Sequence, residues 1–331
     1  IIGMENRNKA PSGGTQKKGG LLAQPRKVVS GMVFSGTIVG MLLVTIAFSI
    51  TLSVLSALLE RPIEGGLDQT DAYKYLSYLL YQAVYIAVIA VFMKVYGEKP
   101  KQFGYRPAHW KYFLIALLLT FGLLFSLNYL NGWFVELLGL MGYTDPAAGS
   151  FEEAVAQLPS LAGGGFVGVL VVVALLPAVL EETLFRGIIL DGIKDIGTVA
   201  ACLLGGLLFC VFHQNPSQTL YQFICGCAFT LLALRADSLL PAVLCHFLNN
   251  AVIVCNYKFA FLQNVPSSVA VALYVISGVC LAGSLVYLIF FDKKTNRRKE
   301  GEIKPFFLAA LVGFILCCVL WVCTLVVNIA G

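Results

Sequence analysis

Ionisable residues inside apolar stretches are the first place to look for chemistry. Each costs about 2.5–3.5 kcal/mol at the centre of a membrane helix on insertion scales, so each needs a reason to be there. Three groups stand out. One stretch carries Pro177-Ala-Val-Leu-Glu181-Glu182-Thr-Leu-Phe-Arg186-Gly187, the next ends in Phe209-Cys-Val-Phe-His213, and a later one carries His246-Phe-Leu-Asn249-Asn250. The chain has three histidines and two of them fall in this set, which argues for a shared task. A carboxylate and an imidazole that share one water can take its proton and later return one to a leaving amine. His246 and Asn250 stand four apart on one helix face and can donate hydrogen bonds to a developing oxyanion. Glu182 and Arg186 have the same spacing and can neutralise each other, which leaves Glu181 free for chemistry. The candidate catalytic residues are therefore Glu181, His213, His246 and Asn250, with Glu182 and Arg186 in support. Glu181, His213 and His246 also match a catalytic zinc set in composition. No HExxH motif is present, and the Asn and Arg suit an oxyanion and a carboxylate better than a metal, so a mechanism without a cofactor is favoured and zinc comes second.

These side chains need elements that bring them to one depth. Of the 331 residues, 58% are hydrophobic and 12% charged, with a mean hydropathy of +0.83, whereas soluble domains carry about 25% charged residues. Several apolar stretches run for about 20 residues, enough to cross a hydrocarbon core of about 30 Å as a helix. The period-two alternation of a β-barrel is missing, so helices must satisfy the backbone in lipid. The expected fold is all-α, a polytopic transmembrane helix bundle of about nine helices at 30–58, 73–96, 111–132, 165–193, 197–213, 217–234, 238–256, 266–291 and 305–329. Lys and Arg fall in alternate connections: Arg7, Lys9, Lys17, Lys18, Arg26 and Lys27, then Lys94, Lys99, Lys101 and Arg106, then Lys194, Arg235 and the run Lys293, Lys294, Arg297, Arg298, Lys299. The positive-inside rule then puts the N-terminus in the cytoplasm. The long connection 133–164 holds only acids, Glu136, Asp145, Glu152 and Glu153, and is expected on the outer side. Counted at about 1.5 Å per residue from the cytoplasmic helix ends, Glu181 lies about 18 Å deep, His213 about 24 Å, His246 about 12 Å and Asn250 about 18 Å. Within a turn, that is one layer.

The polar first 28 residues read as a disordered basic cytoplasmic arm. The ten cysteines all fall in apolar stretches, form no CxxC pair, and read as small packing residues. Gly205-Gly206 permits close helix packing. No basic face with interleaved aromatics suggests nucleic acid.

Glu181-Glu182-xxx-Arg186, Phe209-xxx-His213 and His246-xxx-Asn250, with Gly226 and Ser238-Leu-Leu-Pro241 leading into the last, resemble the signature of the CPBP family of CAAX proteases and bacteriocin-processing enzymes. The resemblance covers 165–256, which it marks as a four-helix catalytic core. Residues 29–164 are then accessory membrane helices with an external loop, and 257–331 C-terminal membrane helices. It implies an intramembrane endopeptidase in a cell membrane such as that of bacteria. Glu181 and His213 would activate water, His246 and Asn250 would form the oxyanion hole, and Glu182 and Arg186 would support the site. The implied partners are a peptide or lipid-modified protein substrate, such as a CAAX-like tail or a leader peptide, and membrane lipids. The alternative in the same family is a non-catalytic immunity or scaffold protein. A transporter would call for broken helices and pseudo-repeats, and the sequence shows neither clearly.

Overall fold

The structure, a computed structural model, describes residues 25–96, 99–145, 149–292 and 301–330, and among them there is no strand. Helices α1 (Arg26–Leu59), α2 (Asp71–Tyr96) and α3 (Trp110–Gly139) precede a short α4 (Phe151–Ala156). Then come α5 (Gly165–Ile196), α6 (Thr198–Phe212), α7 (Thr219–Ala236), α8 (Leu240–Phe259), α9 (Ser267–Phe291) and α10 (Lys304–Ala330). Eight of these are long and apolar enough to cross a bilayer, so the chain is an integral membrane protein with the polytopic helical bundle its composition predicts.

Three expectations change in detail. The N-terminal arm expected over residues 1–28 is shorter than that, because α1 begins at Arg26. The reason is electrostatic: Arg26 donates to Asp191 and Lys27 to Asp195, each at 2.7 Å, which ties the start of α1 to the end of α5. The rest of the arm, residues 1–24, and the basic run from Lys293 to Lys299 lie outside the described residues. The connection expected over 133–164 is partly helical. α3 runs on to Gly139, and α4 is nucleated by a capping box in which Ser150 and Glu153 exchange hydrogen bonds. Finally α6, expected to cross, has only 15 residues. At 1.5 Å each it spans about 22 Å, short of a core of about 30 Å.

Charges gather at one end of the bundle. Besides the α1–α5 pairs, Arg106 meets Asp237 at 3.2 Å and Lys111 meets Asp292 at 2.9 Å. At the other end Asp71 accepts from the Ser160 backbone at 2.8 Å, and the Thr144 backbone donates to Asn328 at 2.8 Å. α1 and α10 run in the same direction, with Gly31 against Phe306 and Gly313 against Ser35. α6 and α7 cross at their glycines: a Cβ on Gly226 would stand 2.7 Å from the Gly206 Cα, so only glycine allows this approach.

Asp292, just beyond α9, is a buried carboxylate that also accepts from Tyr112 at 2.8 Å. Burial pushes its pKa up, but hydrogen bonds from Lys111 and Tyr112 and the charges of Lys111 and Arg235 outweigh that and hold it below the usual value. A depressed carboxylate contributes stability above its unfolded pKa and loses it as pH falls through the folded one. Asp292→Asn is therefore expected to cost about 1–3 kcal/mol near neutral pH. The difference from the unmodified protein should shrink only below about pH 4, measured as thermal unfolding in detergent across pH. A difference that stays constant down to pH 3 would mean the ion pair contributes nothing.

Candidate active site

Two helix surfaces meet around Phe209, and the polar motifs converge there. Glu182 is completely buried on α5. Its Oε1 accepts from Arg186 Nη1 at 2.8 Å, one turn on, and from His246 Nδ1 on α8 at 2.9 Å. The second guanidinium nitrogen of Arg186 donates to the Gly226 carbonyl at 3.0 Å, and the group lies 4.5 Å from the Phe209 ring and 5.3 Å from Phe229. Phe229 also stacks on His246 at 5.6 Å. The i,i+4 pairing read from spacing is thus present. Spacing along the chain carries no sign of the second bond, by which Glu182 also fixes the His246 ring.

Hydrogen-bond partners set both imidazoles. A carboxylate beside a guanidinium only accepts, so His246 Nδ1 carries the hydrogen and Nε2 is the free nitrogen. His213 Nδ1 lies 2.7 Å from the Phe209 carbonyl, which also can only accept, so Nε2 is again the free atom. On His213 this leaves a lone pair for a proton in the neutral ring. On His246, donation from Nε2 requires the imidazolium.

His213 reaches this depth because α6 is short. It is the first residue after the helix, and Gln214 turns the chain at φ +52°. Irregular backbone is tolerated at membrane depth only where protein satisfies it. Asn131 of α3 supplies that by donating to the Ser217 carbonyl at 2.9 Å and accepting from the Tyr221 backbone at 3.1 Å. Trp321 of α10 adds a bond to Thr219 at 2.9 Å.

Glu181, His213 and Asn250 are half-buried, in contrast to buried Glu182, Arg186 and His246. His213 lies within electrostatic reach of Glu181 and of His246. Glu181 accepts no hydrogen bond from the protein among the described residues, so its carboxylate is uncommitted. Asn250 is one turn further along α8. Its amide nitrogen makes a long contact of 3.5 Å to the Val173 carbonyl, and its Oδ1 accepts from Asn249 at 3.4 Å. Asn249 in turn accepts from Tyr221 at 2.7 Å, a chain that turns the Asn250 nitrogen towards α5.

Sequence reading passed over Gln82, Tyr85, Asn131 and Tyr221. Gln82 and Tyr85 are buried on the face of α2 that packs along α5, and Tyr85 lies 5.9 Å from Phe212. None of the four is charged at neutral pH, so a search for ionisable groups misses them. A lone amide in the middle of α2 was the available signal.

For a zinc ion, the ring orientations are suitable, since ligating histidines commonly bond a carboxylate or carbonyl through the other nitrogen. The convergence is not: among the described residues no three His, Cys, Asp or Glu side chains come close enough together to hold a metal. The set Glu181, His213 and His246 does not fit a metal in this arrangement.

Neither the curated proteins nor the solved structures contain a match to the chain. Residues 163–252 match the sequence model of the family described as type II CAAX prenyl endopeptidase Rce1-like. That stretch holds Glu181, Glu182, Arg186, His213, His246 and Asn250, so the part of the chain that builds the site is similar to the type II CAAX prenyl endopeptidases.

Proposed function

We propose that the protein is an intramembrane endopeptidase that hydrolyses a peptide bond in a peptide or in the tail of a lipid-modified protein. The observation that carries this reading is the division of labour between two adjacent glutamates. Glu182 is spent on Arg186 and His246, while Glu181 is half-exposed, uncommitted and near His213. Glu181 takes a proton from a water whose oxygen attacks the scissile carbonyl, and His213 Nε2 orients that water. The carbonyl oxygen becomes an oxyanion that Asn250 Nδ2 and protonated His246 Nε2 can meet. Collapse breaks the C–N bond, and the proton held by Glu181 passes to the departing amine. No step requires a metal. The basic end of the bundle faces the cytoplasm, so a cytoplasmic tail reaches the site from the end that carries Arg106 and Lys194.

The test is cleavage of a quenched-fluorescent library of prenylated tails and leader peptides by detergent-purified protein, with and without a zinc chelator. Cleavage that persists with chelator is expected. Loss with chelator and recovery with zinc would move the reaction to a metalloprotease. Folded protein that cuts nothing, in detergent or in vesicles, would favour a scaffold of the same fold.

A further inference from the structure

α5 is not a regular helix where it approaches the site. Over Leu170–Leu175 it widens to the π register, and the Leu176 backbone N–H bonds the Val171 carbonyl. In a regular α-helix that same N–H would serve Val172. The next donor in the wide register would come from residue 177, which is proline and has none. Val172 is therefore left without a helical donor, and Val173 loses the N–H that an α-helical residue 177 would give it. Buried carbonyls in a bilayer must be paired. Gln82 of α2 donates its amide to the Val172 carbonyl at 2.5 Å, and Asn250 reaches the Val173 carbonyl at 3.5 Å.

We propose that Gln82, outside the family-matched segment, is a positioning residue of the site: its amide supplies the donor that Pro177 lacks and so holds the bulge that aims Glu181. One residue of register rotates everything beyond it by about 100° around the helix axis. Straightening 170–177 would therefore turn Glu181 away from His213. The amide of Gln82 is not placed for its own stability, because its Oε1 is buried with no partner, and a half-satisfied amide in a core is unfavourable. What the residue contributes is the one bond to Val172. The bulge also leaves Val173 with only a long contact, so the Asn250 amide can release it when a substrate carbonyl arrives.

The part concerning Glu181 rests on the peptidase reading; the link between Gln82 and Pro177 does not. The experiment is a double-mutant cycle of Gln82→Leu and Pro177→Ala in the full chain, followed by thermal unfolding and by peptide cleavage. In the unmodified background Gln82→Leu strands the Val172 carbonyl. With Pro177→Ala a backbone donor returns, and the substitution merely removes a poorly satisfied amide. The change in Tm caused by Gln82→Leu is expected to be more unfavourable in the unmodified background by about 3 °C or more. In cleavage, Gln82→Leu is expected to lower kcat between about tenfold and a hundredfold with KM little changed, as a displaced catalytic group does. Equal Tm changes in both backgrounds would overturn the link to Pro177. Coupled stability with unaltered kcat would overturn the aiming of Glu181. If the unmodified protein cuts no peptide, the peptidase reading fails by itself, while the thermal cycle still decides the link.

Discussion

Glu181→Gln is expected to reduce peptide cleavage by about 10²–10⁴-fold, the usual contribution of a positioned general base, while leaving the folded protein within about 0.5 kcal/mol of its original stability. Both halves follow from the same geometry. Glu181 is half-exposed and accepts no bond from the protein among the described residues, so an amide of equal shape breaks nothing structural. It removes only a proton acceptor from beside His213. Glu182→Gln should behave in the opposite way, because Glu182 is fully buried and holds both Arg186 and His246. Its loss should appear first in thermal unfolding, and in cleavage mainly as the result of a loosened imidazole. Measuring kcat, KM and Tm for both variants separates the two glutamates. If Glu181→Gln retained more than about a tenth of the activity while Glu182→Gln lost all of it at unchanged Tm, the roles assigned here would have to be exchanged.

That pair of adjacent glutamates shows what sequence can and cannot supply. Apolar stretches of membrane length made the helices legible, and the cost of burying Glu181, Arg186, His213 and His246 made the site legible. Spacing then gave Glu182 to Arg186. It could not give Glu182 to His246, because that bond depends on how α5 and α8 face each other. The length of α6 was legible, since the expected 197–213 nearly coincides with Thr198–Phe212, but the sinking of the turn after it into the bundle was not. The apolar run of α6 continues to the expected boundary, and Gln214-Asn215-Pro216 reads as an ordinary surface turn. What lets the turn sink is Asn131 on α3 and Trp321 on α10, far away in the chain. Gln82 escaped notice for a related reason. A neutral amide in a membrane helix is common as packing glue, and only its partner carbonyl, stranded by Pro177, gives it a particular task.

The largest loss of stability is expected from Arg186→Met. The side chain has similar length and keeps much of the contact with Phe209 and Phe229, so the change isolates the charge. Removing one partner of a buried ion pair leaves the other without compensation, which costs about 3–5 kcal/mol. Here the orphan is a carboxylate with no exposed surface, whose remaining neighbour is His246. The variant also removes the bond from Arg186 to the Gly226 carbonyl, which keeps the bond from Thr230 at 2.7 Å. Adding Glu182→Gln to Arg186→Met removes the uncompensated charge, so the double variant is expected to regain a large part of the lost Tm without regaining cleavage, because an amide no longer orients His246 as the carboxylate does. Recovery of stability with no recovery of activity would separate what Arg186 does for the bundle from what it does for the site. If the double variant were less stable than Arg186→Met alone, the cost would lie in lost packing and in the Gly226 bond, and the buried charge would not be the reason the arginine is there.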